Sequence, residues 1–172
     1  MSQRQNSTMF GMKTIKDYLA FCAQAVAEFE QDQANVLRAF GAILALNHIP
    51  DWLQYKLSSD QRQTFGIPCL KSGHPVKDHF EGQNSDLRLV RQIANGFKHL
   101  TPNPRDKVVS GYGSGPYGVG PYGASYLLVD LGQEVQSVDR WVVALDLCRR
   151  TLDWWNGQLA AVSPSQGEHG HE

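Results

Sequence analysis

Residues 111–125 read GYGSGPYGVGPYGAS, and no helix can be drawn through them. Glycine loses more conformational freedom than any other residue on entering a helix, and proline lacks the N–H the helix needs. The tetrapeptide Gly-Pro-Tyr-Gly occurs twice, which suits turns that need positive φ at glycine and a fixed φ at proline. On either side, Lys107-Val108-Val109 and Ser125-Tyr126-Leu127-Leu128-Val129 are strand-like. A hairpin with a long tip is expected over about 105–131, and the remaining chain must be organised around it.

That remaining chain is helical in pattern. Ile15, Leu19, Cys22, Val26 and Phe29 recur at steps of three and four, predicting a helix over about 13–33. A second helix carries Val36, Leu37, Phe40, Ile43, Leu44 and Ala45, kinks or restarts at Pro50, and resumes through Trp52, Leu53, Tyr55 and Leu57. Residues 58–84 read as a loop with one short helix at 59–65, because Gly66, Pro68, Gly73, Pro75 and Gly82 interrupt any longer period. The third main helix starts after Ser85 as N-cap, with Asp86 in its first turn, and stops before Thr101-Pro102-Asn103-Pro104. The last helix starts near Ser137, with Val138, Trp141, Val142, Leu145, Cys148, Leu152, Trp155 and Leu159 as its stripe.

Four long amphipathic helices without alternating strands predict a mainly α fold. The expected form is a four-helix-bundle-like domain with the Gly/Tyr-rich hairpin between the third and last main helices. At 172 residues, one domain accounts for 1–172, with a core over about 13–161 and a polar tail over 163–172. A 41% hydrophobic share allows a core, and a net charge of −1 gives no global attraction for polyanions. No apolar run suits a signal peptide or a membrane span, and Cys22, Cys69 and Cys148 form no close pair. A reducing, cytoplasmic setting without membrane association is expected.

Local charge differs from the global value. On the third helix, Leu87, Val90, Ala94 and Phe97 share one face, while Arg88, Arg91, Asn95, Lys98 and His99 cluster on another. Arg91, Asn95 and His99 are successive i,i+4 neighbours. Arginine grips phosphate oxygens bidentately, lysine adds a point charge, and histidine exchanges protons near neutral pH. Cleavage of RNA by its own 2′-hydroxyl needs those functions and no metal. The competing account is a solvated helix face.

His48 and Asp51 lie three apart around Pro50, close enough on a helical backbone for the carboxylate to orient the imidazole. Alternatively, His48 ends one helix and Asp51 caps the next.

Leu46-Asn47-His48-Ile49-Pro50-Asp51-Trp52, followed by Ile93-Ala94-Asn95-Gly96-Phe97-Lys98-His99, resembles uncharacterised bacterial proteins with HxxDW and ANxxKH signatures. Those in turn resemble the HEPN superfamily, four-helix domains common in toxin–antitoxin, abortive-infection and CRISPR-associated systems. The resemblance covers roughly residues 15–159. It implies a metal-independent endoribonuclease or RNA-binding domain, composed as a homodimer and met by a cognate antitoxin or other protein partner. Asn95 matches the polar position of the active members and His99 the histidine, while Ala94 stands where those members carry arginine. Arg91 and Lys98 are the cations available in its place, with His48 and Asp51 in support and Arg88 as an RNA contact. A non-catalytic helical interaction module and a small-molecule pocket between helices are the alternatives.

Tyr112, Tyr117 and Tyr122 repeat every five residues along the glycine-rich tip, where they can stack on single-stranded bases or fold back onto the protein. Trp154, beside a Trp155 that fits the buried stripe, is a candidate oligomer contact or a cap on the loop. Cys69, His74 and His79 lack a fourth nearby zinc ligand, and His169 and His171 sit in the tail, so no metal is assigned. No cofactor motif is present: P-loop, GxGxxG after a strand, GxSxG and HExxH are all missing.

Overall fold

Thr14 starts the first helix with a capping box. Its hydroxyl accepts from the Asp17 N–H at 3.1 Å, and the Asp17 carboxylate accepts from the Lys13 and Thr14 N–H groups at 2.8 Å. These backbone donors hold the Asp17 carboxyl below its ordinary pKa. From this cap runs α1 (Ile15–Gln31), burying Tyr18, Cys22, Val26 and Phe29. Asn35 caps α2 (Val36–Asn47), its side chain accepting from the N–H groups of Leu37 and Arg38. The computed structural model describes residues 11–67, 74–99, 105–109, 116, 118–121, 123–132, 135 and 138–160, and the side chains at 97–99, 105–109 and 138 lie outside that description.

Pro50 does what its chemistry demands. His48 is the C-cap of α2 and the N-cap of α3 (Ile49–Lys56), so proline falls in the first turn of a new helix, where its missing N–H costs nothing. Ser58 and Gln61 then form a second capping box at α4 (Ser59–Thr64).

The expected loop over 58–84 contains a further helix, α5 (Pro75–Gln83), which corrects the sequence reading. Pro75 opens this helix, and Val76 and Phe80, one turn apart, bury its inner face. Next comes α6 (Ser85–His99), ending where expected. Its cap is Asn84 rather than Ser85: the Asn84 side chain accepts from the Asp86 N–H at 2.8 Å, and Ser85 is already helical.

Strands β1 (Arg105–Val109) and β2 (Tyr126–Asp130) pair antiparallel, giving the expected hairpin between α6 and the last helix. At its tip Gly120 has φ +79°, and a Cβ there would lie 2.4 Å from the Tyr126 ring, so glycine is required.

The region after the hairpin differs from expectation. Trp141, Val142 and Val143 form β3 (Trp141–Val143), a third strand in the order β1–β2–β3, and helix begins only at α7 (Ala144–Ala160). Two adjacent valines and a tryptophan favour the pleated surface, and the free edge of β2 supplies the hydrogen bonds that settle the choice. At the corner Arg140 grips the Asp130 carboxylate with two 2.6 Å hydrogen bonds and lies 4.9 Å from the Trp141 ring centre.

The described chain is therefore mainly helical with a small antiparallel sheet. α1 packs on α2 and α7, α2 also on α6 and α7, and α6 on α7, while the sheet lies against α7. One contiguous core joins side chains from these helices and from β2 and β3. Cys22 and Cys148 are buried within it as free thiols. No helix among the described residues is long and apolar enough to cross a membrane.

Candidate functional site

Where α2 gives way to α3, Nδ1 of His48 meets the Asp51 carboxylate at 2.7 Å. A carboxylate only accepts, so Nδ1 carries the proton and Nε2 is the ring nitrogen left for other partners. The His48 side chain is 54% exposed and that of Asp51 34%, so the pair is open to solvent. The HxxD spacing works because the backbone stays helical through the proline: Asp51 sits in the first turn of α3, one turn above His48.

Lys77, on the unforeseen helix α5, reaches the same place. Its amino group donates to the Asn47 side-chain oxygen at 3.2 Å. Burial pushes its pKa below the ordinary lysine value; the Asp51, Glu81 and Asp78 carboxylates oppose that shift, and the Arg91 guanidinium reinforces it. The half-buried Lys77 is thus attracted by the Asp51 carboxylate and repelled by the Arg91 guanidinium of α6.

The expected α6 stripe is divided in its roles. Leu87, Val90, Ile93 and Ala94 are buried, while Arg88 and Asn95 are exposed. Ala94 is 2% exposed, so an arginine at that position would have to carry its charge into the core. Arg91 is held by acidic partners, donating to Glu81 at 2.9 Å and lying 3.5 Å from Asp78. Arg88 donates weakly to the Glu81 carbonyl at 3.4 Å. Lys98 and His99 belong to the last turn of α6.

The other candidates fall elsewhere. His74 is exposed at the start of α5, and the His79 ring pairs with the Gln83 side chain at 2.7 Å. No group of three or more potential metal ligands occurs among the described residues. Trp154 is partly buried and packs edge-on against Phe80 and Trp155. Tyr112, Tyr117, Tyr122, Cys69, His169 and His171 lie outside the described residues.

Sequence reasoning missed Lys77, Asn47, Asp78 and Glu81. A signal existed: proline after His74, then Val76 and Phe80 at i,i+4 spacing, marks a short amphipathic helix.

Together these residues offer an oriented, solvent-open imidazole beside a desolvated cation, which suits proton transfer next to an anionic group. Comparison with protein-family models, curated proteins and solved structures finds no match to the chain.

Proposed function

We propose that this chain is a HEPN-like, bundle-type RNA-binding domain that cleaves RNA without metal, works as a homodimer, and serves a bacterial defence or stress response. The observation that carries the proposal is the His48–Asp51 pair at 2.7 Å, open to solvent and electrostatically linked to Lys77. In this assignment Nε2 of His48 takes the proton of a 2′-hydroxyl as that oxygen attacks the adjacent phosphorus. The P–O5′ bond breaks, and the leaving oxygen is protonated by the His99 imidazolium or by water. Lys77 and Lys98 balance the charge on the phosphoryl oxygens, and Asn95 and Arg88 hold the strand along α6. Arg91 acts differently from the sequence expectation, because Glu81 and Asp78 already engage its guanidinium.

The test is cleavage of a mixed-sequence single-stranded RNA in EDTA by the wild type, Asp51→Asn, His48→Gln and His99→Ala. Wild-type cleavage that falls about 10²-fold or more in His48→Gln, and markedly in Asp51→Asn, supports the assignment. Cleavage unaffected at His48, or dependent on added metal, overturns it.

A non-catalytic interaction module is the second reading. It is favoured by the engagement of Arg91 with acidic neighbours, which leaves α6 with fewer free cations. That module needs His48 and Asn95 as buried, hydrogen-bonded struts, whereas both are exposed.

A further inference from the structure

Tyr55 is the most exposed large apolar side chain among the described residues, at 86%, ahead of Leu37 at 79% and Phe21 at 46%. Its position on α3 gives that exposure a context. Seven residues after His48, it returns to nearly the same side of the helix, about 10 Å further along the axis. Tyr55 therefore stands on the face that carries the His48–Asp51 pair.

The helix that carries it is anchored by aromatic rings. Trp52, one turn back, stacks on Tyr18 of α1 with ring centres 4.6 Å apart and planes 15° from parallel. The Tyr18 hydroxyl is fixed by donating to the Ala45 carbonyl at 2.9 Å, and Phe21 leans on the Tyr18 ring at 5.9 Å. This packing locks α3 against α1, so Tyr55 projects from a rigid element. Its immediate neighbours are cationic: the Lys56 amino group lies 6.0 Å from the Trp52 ring centre, and Arg62 of α4 donates to the Gln54 carbonyl, next to Tyr55 in the chain. Of the nearby acids, Asp51 is engaged by His48, which leaves Asp60.

An exposed ring on an anchored helix, with Lys56 beside it in the chain, Arg62 held against its helix and an acid–base pair on the same face, matches the requirements of one ligand chemistry. A nucleobase stacks on the ring and the adjoining phosphates meet the cations. A purely apolar partner would leave Lys56 and Arg62 desolvated without counter-charges. We propose that Tyr55 is a base-stacking residue for single-stranded RNA, with Lys56 and Arg62 on the flanking phosphates, and that this platform holds the strand whose backbone reaches His48. The inference rests on the RNA-binding assignment above.

The experiment is fluorescence anisotropy of an end-labelled, mixed-sequence single-stranded RNA with the full chain, comparing wild type, Tyr55→Ala, Tyr55→Phe and Lys56→Gln. Sedimentation of each protein alone, and thermal melting followed by circular dichroism, accompany the titrations. Tyr55→Ala is expected to weaken binding roughly 5- to 150-fold, the range for losing one stacked base, while Tyr55→Phe stays within about threefold of wild type. Lys56→Gln is expected to weaken binding and reduce its salt dependence. Wild-type binding that Tyr55→Ala leaves unchanged overturns the stacking platform alone. Failure of the wild type to bind RNA overturns the RNA assignment and this inference with it. A Tyr55→Ala protein that melts as wild type but sediments at a different mass assigns the surface to self-association and overturns the platform.

Discussion

Arg91 and Glu81 meet at 2.9 Å across the α5–α6 junction, yet among the described residues only one of the two Glu81 carboxylate oxygens is engaged. The other, Oε1, is buried without a hydrogen-bond partner among the described residues, and the Glu81 side chain as a whole is 12% exposed. Arg91 is 35% exposed, so the arginine is the wet end of the pair and the glutamate its dry end. This asymmetry ties α5 to α6 and removes a cation from the surface that the sequence pattern had marked for phosphate.

Because the dry end carries the charge, removing the wet end is costly. Arg91→Ala is expected to destabilise the protein by about 2 kcal/mol, less than for a fully buried pair because solvent screens the arginine. Combining it with Glu81→Gln is expected to recover part of that loss, since a neutral amide does not require a counter-charge. Urea unfolding midpoints of the two single variants and the double variant check the coupling. Simple additivity would show that the pair is a screened surface contact.

Phe80 is fully buried and meets Phe65, Trp154 and Trp155 edge-on, at ring separations of 5.4, 5.7 and 4.9 Å. It therefore joins α5 to α7. Phe80→Ala is expected to cost about 3–5 kcal/mol, a large share of a typical net stability. The emission of the paired tryptophans should change with it. Denaturant unfolding followed by tryptophan emission tests both at once.

Lys77 gives stability a pH dependence of definite sign. Burial lowers its folded-state pKa below the ordinary lysine value of 10.5, so the native protein releases this proton before the unfolded chain does. Between the two values the unfolded state binds more protons, and stability rises with pH. Lys77→Met removes that contribution. The stability of wild type relative to Lys77→Met should therefore improve as pH is raised from 7 towards 10, as read from paired urea midpoints. A difference that is flat or falls with pH contradicts the assignment.

The two core thiols act with the opposite sign. Burial pushes Cys22 and Cys148 up to about 12 from an ordinary 9.0. Above pH 9 the unfolded chain ionises where the native one does not, so their contribution is lost progressively between about pH 9 and pH 12. At pH 8 both should resist iodoacetamide in the native protein and react once it is unfolded in urea. Peptide mass spectrometry resolves the two sites, and rapid native labelling at either would show that the helix carrying it opens readily.

What the sequence determined by itself was whatever depends on short-range periodicity. The steps of three and four through Cys22 and Phe29, and through Cys148 and Trp155, mark buried helix faces in any context, and all four side chains are fully buried. Proline and glycine chemistry likewise placed the restart at Pro50 and the hairpin around the glycine-rich tip, because those constraints lie in the backbone of the residues themselves. The His48–Asp51 contact was legible for the same reason, since one helical turn separates the two residues. Tertiary structure decided the rest. Trp141-Val142-Val143 fit a helical stripe and a strand equally well, and only the unpaired edge of β2 chose between them. Lys77 lies 30 residues from Asn47 and Glu81 lies 10 from Arg91, and what they do depends on α5 docking against α3 and α6. Charge pattern alone offered Arg91 to a phosphate; the fold gave it to Glu81, because a carboxylate nearly buried at that junction needs a cation more than the solvent does.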